Sequence, residues 1–466
     1  MADTVMGNEN PEFSEERYDE MLGRIFVRYP SVQNNTFSTA YKPGLQHMLD
    51  FCSVLGNPQD SYPTVHVAGT NGKGSVSNMI AASLMEVGYR VGLYTSPHIV
   101  DFRERMRVDG KMVPKEWVYD FMTRNSETFS RLDLSFFEIT TGMAFAWFAE
   151  QKVDVAIIEV GLGGLLDSTN IIRPILSIVT SIGLDHCDLL GNTLAEIATQ
   201  KAGIFKEGVP ALVGEVLPET RPVFERIASE KGCTIRYAEA GDPPIWNNRE
   251  MILSRMDLRG TYQQKNLRTV LCALDMIKEK FPSLENTKDV IHGIVHTATI
   301  MDFHGRWERI CDSPLVICDI GHNAHALRNN FSQLATMLSN EECSSLIIVY
   351  AVMADKDFDS IMPLMPVDAT YIFTTPQTKR AMPASEILSR YTAYRKEKGV
   401  STSRLYTCDS VRGAVSMAIE LASNIKKIDS NNRVLQPVIY IGGSTFAVAE
   451  AVPLLRKPSR APKTAK

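Results

Sequence analysis

The sequence predicts an α/β protein built from two domains, and three observations lead to that prediction. Short apolar runs rich in β-branched residues alternate with helix-like segments along most of the chain. Two of these runs, residues 153–160 and 175–182, are almost continuously apolar, which is typical of parallel strands buried on both faces. The chain has 466 residues, which is long for one hydrophobic core. Two α/β domains in series are therefore expected.

The first domain is expected to contain a strand, a glycine-rich turn and a helix in succession. An apolar strand at residues 64–68 leads into the turn, and a helical pattern over 76–87 ends at Gly88, since glycine is common just past a helix end. The next strand is predicted at residues 90–95. The same alternation returns later, with strands predicted at 315–319, 346–351, 370–374 and 438–441 and a helix at 409–422.

The predicted domain boundary lies near residues 297–305, where a helical stretch gives way to a link that contains histidine and glycine. We therefore expect an N-terminal domain over residues 1–300 and a smaller C-terminal domain over residues 301–466. The sequence contains no internal repeat of fixed period.

Composition and charge limit the class of partner. Lys and Arg total 49 against 54 acidic residues, a net charge of −5, which gives no support to nucleic acid or an anionic membrane as the main partner. The longest apolar stretches are far shorter than a membrane span, and the N-terminal segment is polar and acidic without an apolar signal core. Eight cysteines are scattered without a CxxC pair, which suits reduced thiols. We expect a cytoplasmic protein.

The segment GTNGKGS, at residues 69–75, lies between a predicted strand and a predicted helix, where a phosphate-binding loop is expected. Its glycines let backbone N–H groups turn toward phosphate, and its lysine supplies a full positive charge. The spelling departs from the strict G-x-x-x-x-G-K-[ST] pattern because a glycine follows the lysine. The alternative is a glycine-rich turn with a surface lysine. The predicted phosphate-binding residues are Gly69, Thr70, Asn71, Gly72, Lys73, Gly74 and Ser75.

Further motifs follow this loop in a fixed order: TSPH at 95–98, FRER at 102–105, EVGLGG at 159–164, GLDH at 183–186, KAGI at 201–204, QQKN at 263–266, GRWE at 305–308 and DIGHN at 319–323. Together with GTNGKGS, the set resembles the folylpolyglutamate and dihydrofolate synthases, a branch of the Mur ligase superfamily. The likeness extends over most of the chain. The resemblance implies an N-terminal P-loop ATPase domain of the Mur ligase type, followed by a smaller Rossmann-like α/β domain.

The resemblance also implies a metal site. Ser96, Glu159 and His186 each follow the end of a predicted strand and match the family's magnesium-binding serine, glutamate and histidine. A turn-capping serine, an ion-paired glutamate and a structural loop histidine are the alternatives. Lys201 matches a carbamylated lysine, and the added carboxylate group would help to hold a second Mg²⁺. The chain departs from the family at Gln200, where a glutamate is common.

The second half of the nucleotide site is expected from the later motifs. Asn266 can donate to and accept from an adenine edge, Arg306 can bind phosphate, and Asp319 can accept from a ribose hydroxyl. A helix-surface Asn, a surface Arg and a helix-capping Asp are the alternatives. The resemblance assigns all three residues to ATP. His322 can contact the phosphoryl or acyl-phosphate group, and a structural histidine is the alternative. DIGHN departs from the commoner Asp-Gly-Ala-His-Asn-Pro spelling at Ile320, Gly321 and Ala324.

The acceptor site is expected from two segments that match dihydropteroate-contacting parts of the bifunctional family members. Aromatic rings can stack on a flat pterin, although phenylalanine in an apolar context is more often part of the core. A carboxylate can accept from pterin N–H groups. The chain departs from the family at Leu165, where arginine is usual. The predicted substrate-binding residues are Ser135, Phe136, Phe137, Glu138, Leu166, Asp167 and Ser168.

The activity that the resemblance implies is ATP-dependent ligation of L-glutamate to dihydropteroate, to the glutamate tail of reduced folates, or to both, through an acyl phosphate. ATP is then a co-substrate, two Mg²⁺ ions assist, and Lys73, Lys201 and His322 are the expected catalytic residues. The matches at residues 135–138 and 166–168 favour the bifunctional enzyme over one limited to tail extension. We expect a monomer.

Two other functions are alternatives. One is a Mur ligase that adds an amino acid to a nucleotide-linked peptidoglycan precursor, which the GTNGKGS and TSPH motifs disfavour. The other is a P-loop NTPase that acts as a switch or motor and hydrolyses nucleotide without glutamate. The second α/β domain, which carries matching nucleotide-binding motifs, favours the ligase over the switch.

Overall fold

The computed structural model describes residues 12–29, 44–241, 243, 249–425, 427–428 and 434–456, and two large β-sheets organise this part of the chain. The strands of the first sheet are β1 (Thr64–Ala68), β2 (Val91–Tyr94), β3 (Met106–Val108), β4 (Lys111–Met112), β5 (Val155–Glu159), β6 (Leu176–Val179), β7 (Ala211–Val213) and β8 (Ile235–Tyr237). Their order is β4-β3-β2-β5-β1-β6-β7-β8. Strands β2, β5, β1, β6, β7 and β8 pair in parallel, and β3 and β4 form an antiparallel edge.

Helices cover both faces of this sheet, which explains why its central strands are mostly apolar on both sides. Val155 and Ile157 of β5 belong to one hydrophobic core, whereas Ala156 and Ile158 belong to the core on the opposite face. The helices of this domain are α1 (Glu15–Arg28), α2 (Gln46–Val54), α3 (Lys73–Glu86), α4 (Lys115–Arg131), α5 (Phe136–Glu150), α6 (Cys187–Leu190), α7 (Leu194–Ala202), α8 (Arg221–Glu230), α9 (Arg249–Arg255), α10 (Gln263–Ile277), α11 (Thr287–Val295) and α12 (Thr297–Ile300).

Helix α3, which follows the phosphate loop, is buried on every side over residues 74–84. Its apolar and small residues face the sheet on one side and other helices on the other, so it has no polar face. Helix α11 approaches α3 closely at Gly293, where a Cβ atom would lie 2.7 Å from the carbonyl oxygen of Ala82. The phosphate loop is thus attached to a helix that is held rigidly in the core.

The second sheet has six strands and begins after the link at residues 301–307. Its strands are β9 (Glu308–Asp312), β10 (Leu315–Asp319), β11 (Leu346–Tyr350), β12 (Thr370–Thr374), β13 (Leu405–Cys408) and β16 (Val438–Gly442), and β14 (Lys427–Ile428) and β15 (Val434–Leu435) form a separate pair. The order is β13-β12-β11-β16-β10-β9, parallel except for the edge strand β9. The helices are α13 (Ala324–Ser339), α14 (Phe358–Ile361), α15 (Ala384–Glu397), α16 (Val411–Ser423) and α17 (Thr445–Leu455).

The predicted fold class, two α/β domains with mainly parallel sheets, is confirmed. The predicted strand at 370–374 coincides with β12, and the predicted helix at 409–422 differs from α16 by two residues at its start and one at its end. The helix predicted over 76–87 begins earlier, at Lys73, because the second half of the phosphate loop is already helical. Among the described residues, no helix combines the length and apolarity needed to cross a bilayer.

Candidate active site

The phosphate loop occupies the turn between β1 and α3. At two of its positions, the surrounding atoms leave room only for glycine. A Cβ atom at Gly69, where φ is 149°, would lie 1.9 Å from Thr180 Oγ1. A Cβ atom at Gly72, where φ is 88°, would lie 2.4 Å from Asn266 Oδ1. Both backbone conformations also disfavour any side chain. The loop can therefore approach α10 and the end of β6 only because these two positions are glycine.

Hydrogen bonds from the segment after β6 fix the shape of the loop. Thr180 Oγ1 and Ser181 Oγ both donate to the carbonyl oxygen of Asn71, at 2.7 and 3.0 Å. The backbone N–H of Thr70 donates to the carbonyl oxygen of Ser181 at 2.7 Å. Gly183 and Thr70 make a further reciprocal pair through the threonine hydroxyl. The loop is preorganised in the protein itself, which reduces the entropy lost when a ligand binds.

Two lysines converge on the first residue of the loop. Lys73 Nζ and Lys201 Nζ each donate to the carbonyl oxygen of Gly69 at 3.0 Å. Lys201 lies near the end of α7 and is 5% exposed. Burial and, to a smaller extent, the charge of Lys73 lower the pKa of Lys201, Asp185 and Asp167 act in the opposite direction, and the net pKa is about 7. Lys201 is therefore readily present as a neutral, nucleophilic amine.

Ser96 and Glu159, two of the three predicted magnesium ligands, lie together at the ends of neighbouring strands. Glu159 is the last residue of β5, is 3% exposed, and accepts a 3.2 Å hydrogen bond from the backbone N–H of Ser96. Burial raises the pKa of Glu159, and the positive charges of Lys73 and Arg306 oppose this shift. A buried carboxylate that faces two cations and a hydroxyl-bearing residue suits an oxygen-seeking cation.

His186, the third predicted magnesium ligand, has a left-handed backbone conformation with φ of 52°. Burial lowers the pKa of His186 to about 3, so its ring is neutral. In the described part of the chain, no three His, Cys, Asp or Glu side chains converge as a self-sufficient metal site.

Arg306 faces the phosphate loop from the interdomain link. A Cβ atom at Gly74 would lie 3.2 Å from one terminal nitrogen of the Arg306 guanidinium, and the other terminal nitrogen donates to the carbonyl oxygen of His304 at 2.7 Å. The guanidinium stacks on Phe303, with its carbon 4.4 Å from the ring centroid. Burial lowers the pKa of Arg306, while the charge of Glu159 counteracts this effect. The side chain is fixed from several directions at the place where phosphate charge is expected.

Asp319 and Asn266 both line the site and already have protein partners. The Asp319 carboxylate accepts from Tyr262 Oη at 2.7 Å and from the backbone N–H of Trp307 at 2.8 Å. It also accepts from the backbone N–H of Gly321 and from Asn330 Nδ2, both at 2.7 Å. Asn266 Nδ2 donates to Gln263 Oε1 at 2.8 Å, and Gln263 Nε2 donates to Ser75 Oγ at 3.1 Å. Both predicted nucleotide residues therefore help to shape the site, and their direct contact with ATP stays a prediction.

Two adjoining cavities meet at this place. The first, about 170 Å³, is lined by the phosphate loop and by residues of both domains, including Glu159, Asn266, Arg306 and Asp319. The second, about 290 Å³, lies between the predicted acceptor segments and the C-terminal domain. Three residues line both cavities: Ser96, Pro97 and His322. A group held at these three residues touches both compartments.

Most of the predicted acceptor residues line the second cavity, namely Ser135, Phe136, Phe137, Leu166, Asp167 and Ser168. Glu138 does not line it: its carboxylate accepts from the backbone N–H and the hydroxyl of Ser135, both at 2.7 Å, in a capping box at the start of α5. Asp167 accepts from the backbone N–H groups of Leu162 and Thr169, at 2.9 and 3.0 Å. These two carboxylates hold the cavity walls in place, so their direct contact with a pterin remains a prediction.

The structure also reveals residues that sequence reasoning missed. The Asp185 carboxylate of the N-terminal domain accepts a 2.6 Å bond from Lys356 Nζ and a 3.0 Å bond from Asn323 Nδ2, both in the C-terminal domain, and His322 Nε2 lies 3.5 Å away. Burial alone would raise the pKa of Asp185, but the His322 hydrogen bond and the neighbouring positive charges hold it well below its usual range. Asp185 belongs to the GLDH motif and could have been noticed, whereas Lys356 lies in a segment without a recognisable pattern.

The residues that depart from the family pattern cause no visible disruption. Ala324 is the first residue of α13, and Asn323 caps that helix by accepting from the backbone N–H of Ala326 at 2.9 Å. The backbone N–H of Ile320 donates to the carbonyl oxygen of Gly305 at 3.0 Å. Leu165 is 42% exposed and lines neither cavity, and its N–H donates to the carbonyl oxygen of Gln200 at 2.8 Å.

Comparison with known proteins assigns both halves of the chain. Residues 67–273 match the Mur ligase middle domain, and residues 305–428 match the Mur ligase glutamate ligase domain. A dihydrofolate synthase/folylpolyglutamate synthase of Bacillus subtilis is 34% identical over 342 residues, which cover 69% of this chain and 78% of the relative. A folylpolyglutamate synthase of Lacticaseibacillus casei is 30% identical over 361 residues, which cover 72% of this chain and 82% of the relative.

Solved structures agree with these matches. A Mycobacterium tuberculosis folylpolyglutamate synthase complexed with ADP and AMPPCP superposes with a TM-score of 0.76 at 27% identity, covering 90% of this chain and 96% of that one. Escherichia coli FolC in complex with DHPP and ADP superposes with a TM-score of 0.73 at 26% identity, covering 94% of this chain and 97% of that one.

A phosphate loop that faces a second α/β domain across a shared cavity defines an ATP-dependent ligase of the Mur type, and the predicted enzyme class is confirmed. The chain belongs to the dihydrofolate synthase/folylpolyglutamate synthase family. Neither alternative function, a peptidoglycan-precursor ligase or a nucleotide switch, is favoured by these matches.

Proposed function

We propose that this enzyme joins L-glutamate to two acceptors, dihydropteroate and the glutamate tail of reduced folates, at one site. The observation that carries the proposal is the contact between a phosphate-binding cavity and an aromatic-lined cavity at Ser96, Pro97 and His322. A carboxylate at the end of an acceptor in the second cavity would lie beside the terminal phosphate of ATP in the first. Bifunctional relatives and the FolC complex with DHPP support the inclusion of dihydropteroate.

ATP occupies the first cavity in this proposal. The backbone N–H groups of residues 69–75 and the start of α3 face the phosphates, as at other helix N-termini that bind anions. Lys73 moves from the carbonyl oxygen of Gly69 onto the phosphates, and Arg306 supplies a second cation from the C-terminal domain. Asn266 and Asp319, which both line this cavity, take part in recognition of the base and ribose.

Mg²⁺ is the metal that this donor set fits best, and we propose two ions. Ser96 and Glu159 would hold one of them with phosphate oxygens, and His186 and a carbamylated Lys201 would help to hold the other. The buried Lys201 supports this assignment, because its amine loses its proton readily and a carbamate replaces an unfavourable buried cation with oxygen ligands. Bound Mg²⁺ would neutralise charge on the transferring phosphoryl group.

The acceptor occupies the second cavity. Phe136 and Phe137 supply flat apolar surface, and Arg105 holds its guanidinium carbon 5.1 Å from the centre of the Phe136 ring. Tight packing keeps the wall rigid: a Cβ atom at Gly161 would lie 2.3 Å from Phe137. Leu166, Asp167 and Ser168 form the opposite wall.

Glutamate enters from the C-terminal side of the same cavity. Lys356 and Arg380 line this end of the cavity and provide the positive charge that two carboxylates require. Arg380 is held in place by one guanidinium nitrogen, which donates to both carboxylate oxygens of Asp355 at 2.8 and 2.9 Å. Ser444 caps the start of α17, whose positive dipole end adds to this field. The amine of glutamate is thereby directed toward His322 and the junction of the cavities.

The reaction follows from this placement. The acceptor carboxylate attacks the γ-phosphorus of ATP, the bond to the bridging oxygen breaks, and ADP leaves. The amine of glutamate then attacks the acyl phosphate, loses a proton and expels phosphate, and an amide bond forms. His322 lies at the junction and can bind the phosphoryl oxygens or receive this proton. The two domains exclude water from the acyl phosphate. The expectations of a monomer and of a cytoplasmic location stay predictions.

One assay tests the proposal. Purified enzyme is supplied with ATP, Mg²⁺ and either dihydropteroate or tetrahydrofolate, with and without glutamate, and ADP release is measured. Glutamate-dependent release with both acceptors is expected. Activity with tetrahydrofolate alone would remove the first function, and activity with neither acceptor would overturn the proposal. ADP release that ignores glutamate would instead favour a nucleotide switch.

A further inference from the structure

His304 lies in the interdomain link between two carboxylates, one on each side. Its Nε2 is 2.8 Å from Asp302 Oδ1, and its Nδ1 is 3.2 Å from Glu308 Oε1. Asp302 lies near the start of the link, and Glu308 is the first residue of β9, directly after the link. The His304 side chain is 8% exposed, so it makes these contacts largely out of solvent. Its ring therefore connects the start of the link to the first residue of β9.

A second cation completes the cluster. Arg456, which follows α17, lies 2.9 Å from Glu308 Oε1 and 3.8 Å from Asp302 Oδ1. Its guanidinium nitrogens also lie 2.8 and 3.1 Å from the ring nitrogens of His304, and because a guanidinium and a charged imidazole both only donate, the two cations are held together by the carboxylates that they share. With a charged imidazole, the four side chains carry two positive and two negative charges and balance. With a neutral imidazole, the cluster keeps one excess negative charge, and the nearly buried Glu308 carboxylate loses one of its two cationic partners.

The link around His304 has an unusual backbone that needs support. Asp302, Gly305 and Trp307 all have positive φ, at 44°, 69° and 52°. A non-glycine residue in this region costs about 1–2 kcal/mol, and such strain persists only where the surroundings impose it. The Glu308 carboxylate also accepts from the backbone N–H of Gly305 at 2.7 Å. The charged cluster is therefore what holds the link in this form.

The same link carries Arg306 to the phosphate loop. The guanidinium donates to the carbonyl oxygen of His304 itself, at 2.7 Å. Arg107 of β3 fixes the N-terminal side of the link by donating to the carbonyl oxygens of Met301 and Asp302. A shift of His304 would thus displace the acceptor that orients Arg306.

We propose that His304 is a positioning residue: as a buried imidazolium held between Asp302 and Glu308, it locks the interdomain link and thereby places the Arg306 guanidinium against the nucleotide phosphates. The inference rests on the proposed role of Arg306. It adds a residue that touches neither substrate and acts through the carbonyl oxygen that it presents.

The direction of the pKa of His304 agrees with this role. Burial alone would lower the pKa, but hydrogen bonds from the ring to Asp302 and Glu308, together with their charges, raise it to about 9. Because the folded-state pKa lies above the ordinary value of about 6.5, the stabilisation is fully present below that value and is lost as pH rises through about 9.

The test compares two substitutions of similar length, His304→Lys and His304→Met. Lysine retains a cation between the carboxylates, whereas methionine retains only volume. We expect kcat/KM for ATP to fall about 100-fold in the methionine variant, as for a misplaced catalytic group, and to recover at least tenfold in the lysine variant. His296→Met serves as the control at an exposed histidine and should behave as the parent. Equal activity of the lysine and methionine variants would overturn the proposal, as would a methionine variant within twofold of the parent.

A second measurement does not depend on activity. The ring of His304 is followed by NMR titration of the parent protein, and its signal is assigned among the nine histidines by its absence from the lysine variant. A ring that stays charged through pH 8 supports the proposal, and a ring that titrates near its ordinary value overturns it. If the ring stays charged but Arg306→Lys has normal activity, the proposed role of Arg306 fails instead.

Discussion

Lys73 and Lys201 share one acceptor, the carbonyl oxygen of Gly69, which each ammonium nitrogen approaches to 3.0 Å. One carbonyl oxygen cannot balance two cations in a buried place. The arrangement is therefore prepared either for an anion that separates the two lysines or for the chemical loss of one charge. Phosphate satisfies the first condition for Lys73, and carbamylation satisfies the second for Lys201.

The first prediction concerns Lys201. Replacement by alanine should lower kcat at least about 100-fold, because oxygen ligands near the metal and phosphate are lost. Lys201→Arg should do no better, since arginine retains a cation but cannot form a carbamate. A short carboxylic acid added to the alanine variant should restore part of the rate. An arginine variant that runs near the parental rate would exclude the carbamate, and ¹³C NMR of the parent with labelled CO₂ provides a direct readout.

The second prediction separates phosphate charge from metal binding. Lys73→Ala and Glu159→Ala should both abolish turnover while the circular dichroism spectrum stays unchanged. Raising Mg²⁺ should recover part of the activity of the Glu159 variant alone, because the remaining Ser96 and phosphate oxygens still bind the ion weakly. Recovery of the Lys73 variant by Mg²⁺, or near-normal rates in either variant, would contradict the placement of the site.

The third prediction concerns the phosphate loop and has a matched control. Gly72→Ala introduces a Cβ atom 2.4 Å from Asn266, whereas Gly208→Ala introduces one into open space at a similar φ of 68°. Both should lose about 1–2 kcal/mol of unfolding free energy from backbone strain. Only Gly72→Ala should also weaken ATP binding, by about tenfold or more, a loss of about 1.4 kcal/mol. Isothermal titration calorimetry with ATP distinguishes the two, and equal ATP affinities would contradict the steric argument.

The fourth prediction concerns the Asp185–Lys356 contact across the domains. Lys356→Met should raise KM for glutamate at least about tenfold and leave KM for ATP within about twofold, since it removes one charge from the glutamate end only. Asp185→Asn should lower kcat, because Lys356 and Asn323 lose a shared acceptor. The free-energy loss in the double variant should be smaller than the sum of the losses in the two single variants, by about 0.5–3 kcal/mol. Lys398→Met, at an exposed lysine, is the control, and strict additivity would show that the contact is not coupled to catalysis.

The parts of the fold that could be predicted from the sequence are those with a local cause. Buried parallel strands such as β5 are recognisable as continuous apolar runs. The phosphate loop is recognisable from its glycines and from its position between a strand and a helix. Residues 76–87 were sufficient to identify α3 but not its start, because Lys73 and Gly74 carry no helical pattern.

Other features could not be read from the sequence because their causes are distant in the chain. The separation between Asp185 and Lys356 is 171 residues, and nothing near Lys356 indicates its partner. Glu138 and Asp167 belong to matching motifs, yet each already has partners that hold its own segment in place. A motif identifies a position in the structure, whereas hydrogen bonds decide what the side chain contacts there.

The meeting of the two cavities at Ser96, Pro97 and His322 has a consequence for inhibitor design. A compound that links an adenine nucleotide to a pterin through a single tetrahedral phosphorus would fill both compartments and resemble the transferring phosphoryl group. Binding of either half raises the effective concentration of the other, so the linked compound should exceed the affinity of its parts by far. Ordinary ATP-binding proteins without an adjoining aromatic compartment would gain nothing from the pterin half, and selectivity would follow from the architecture itself.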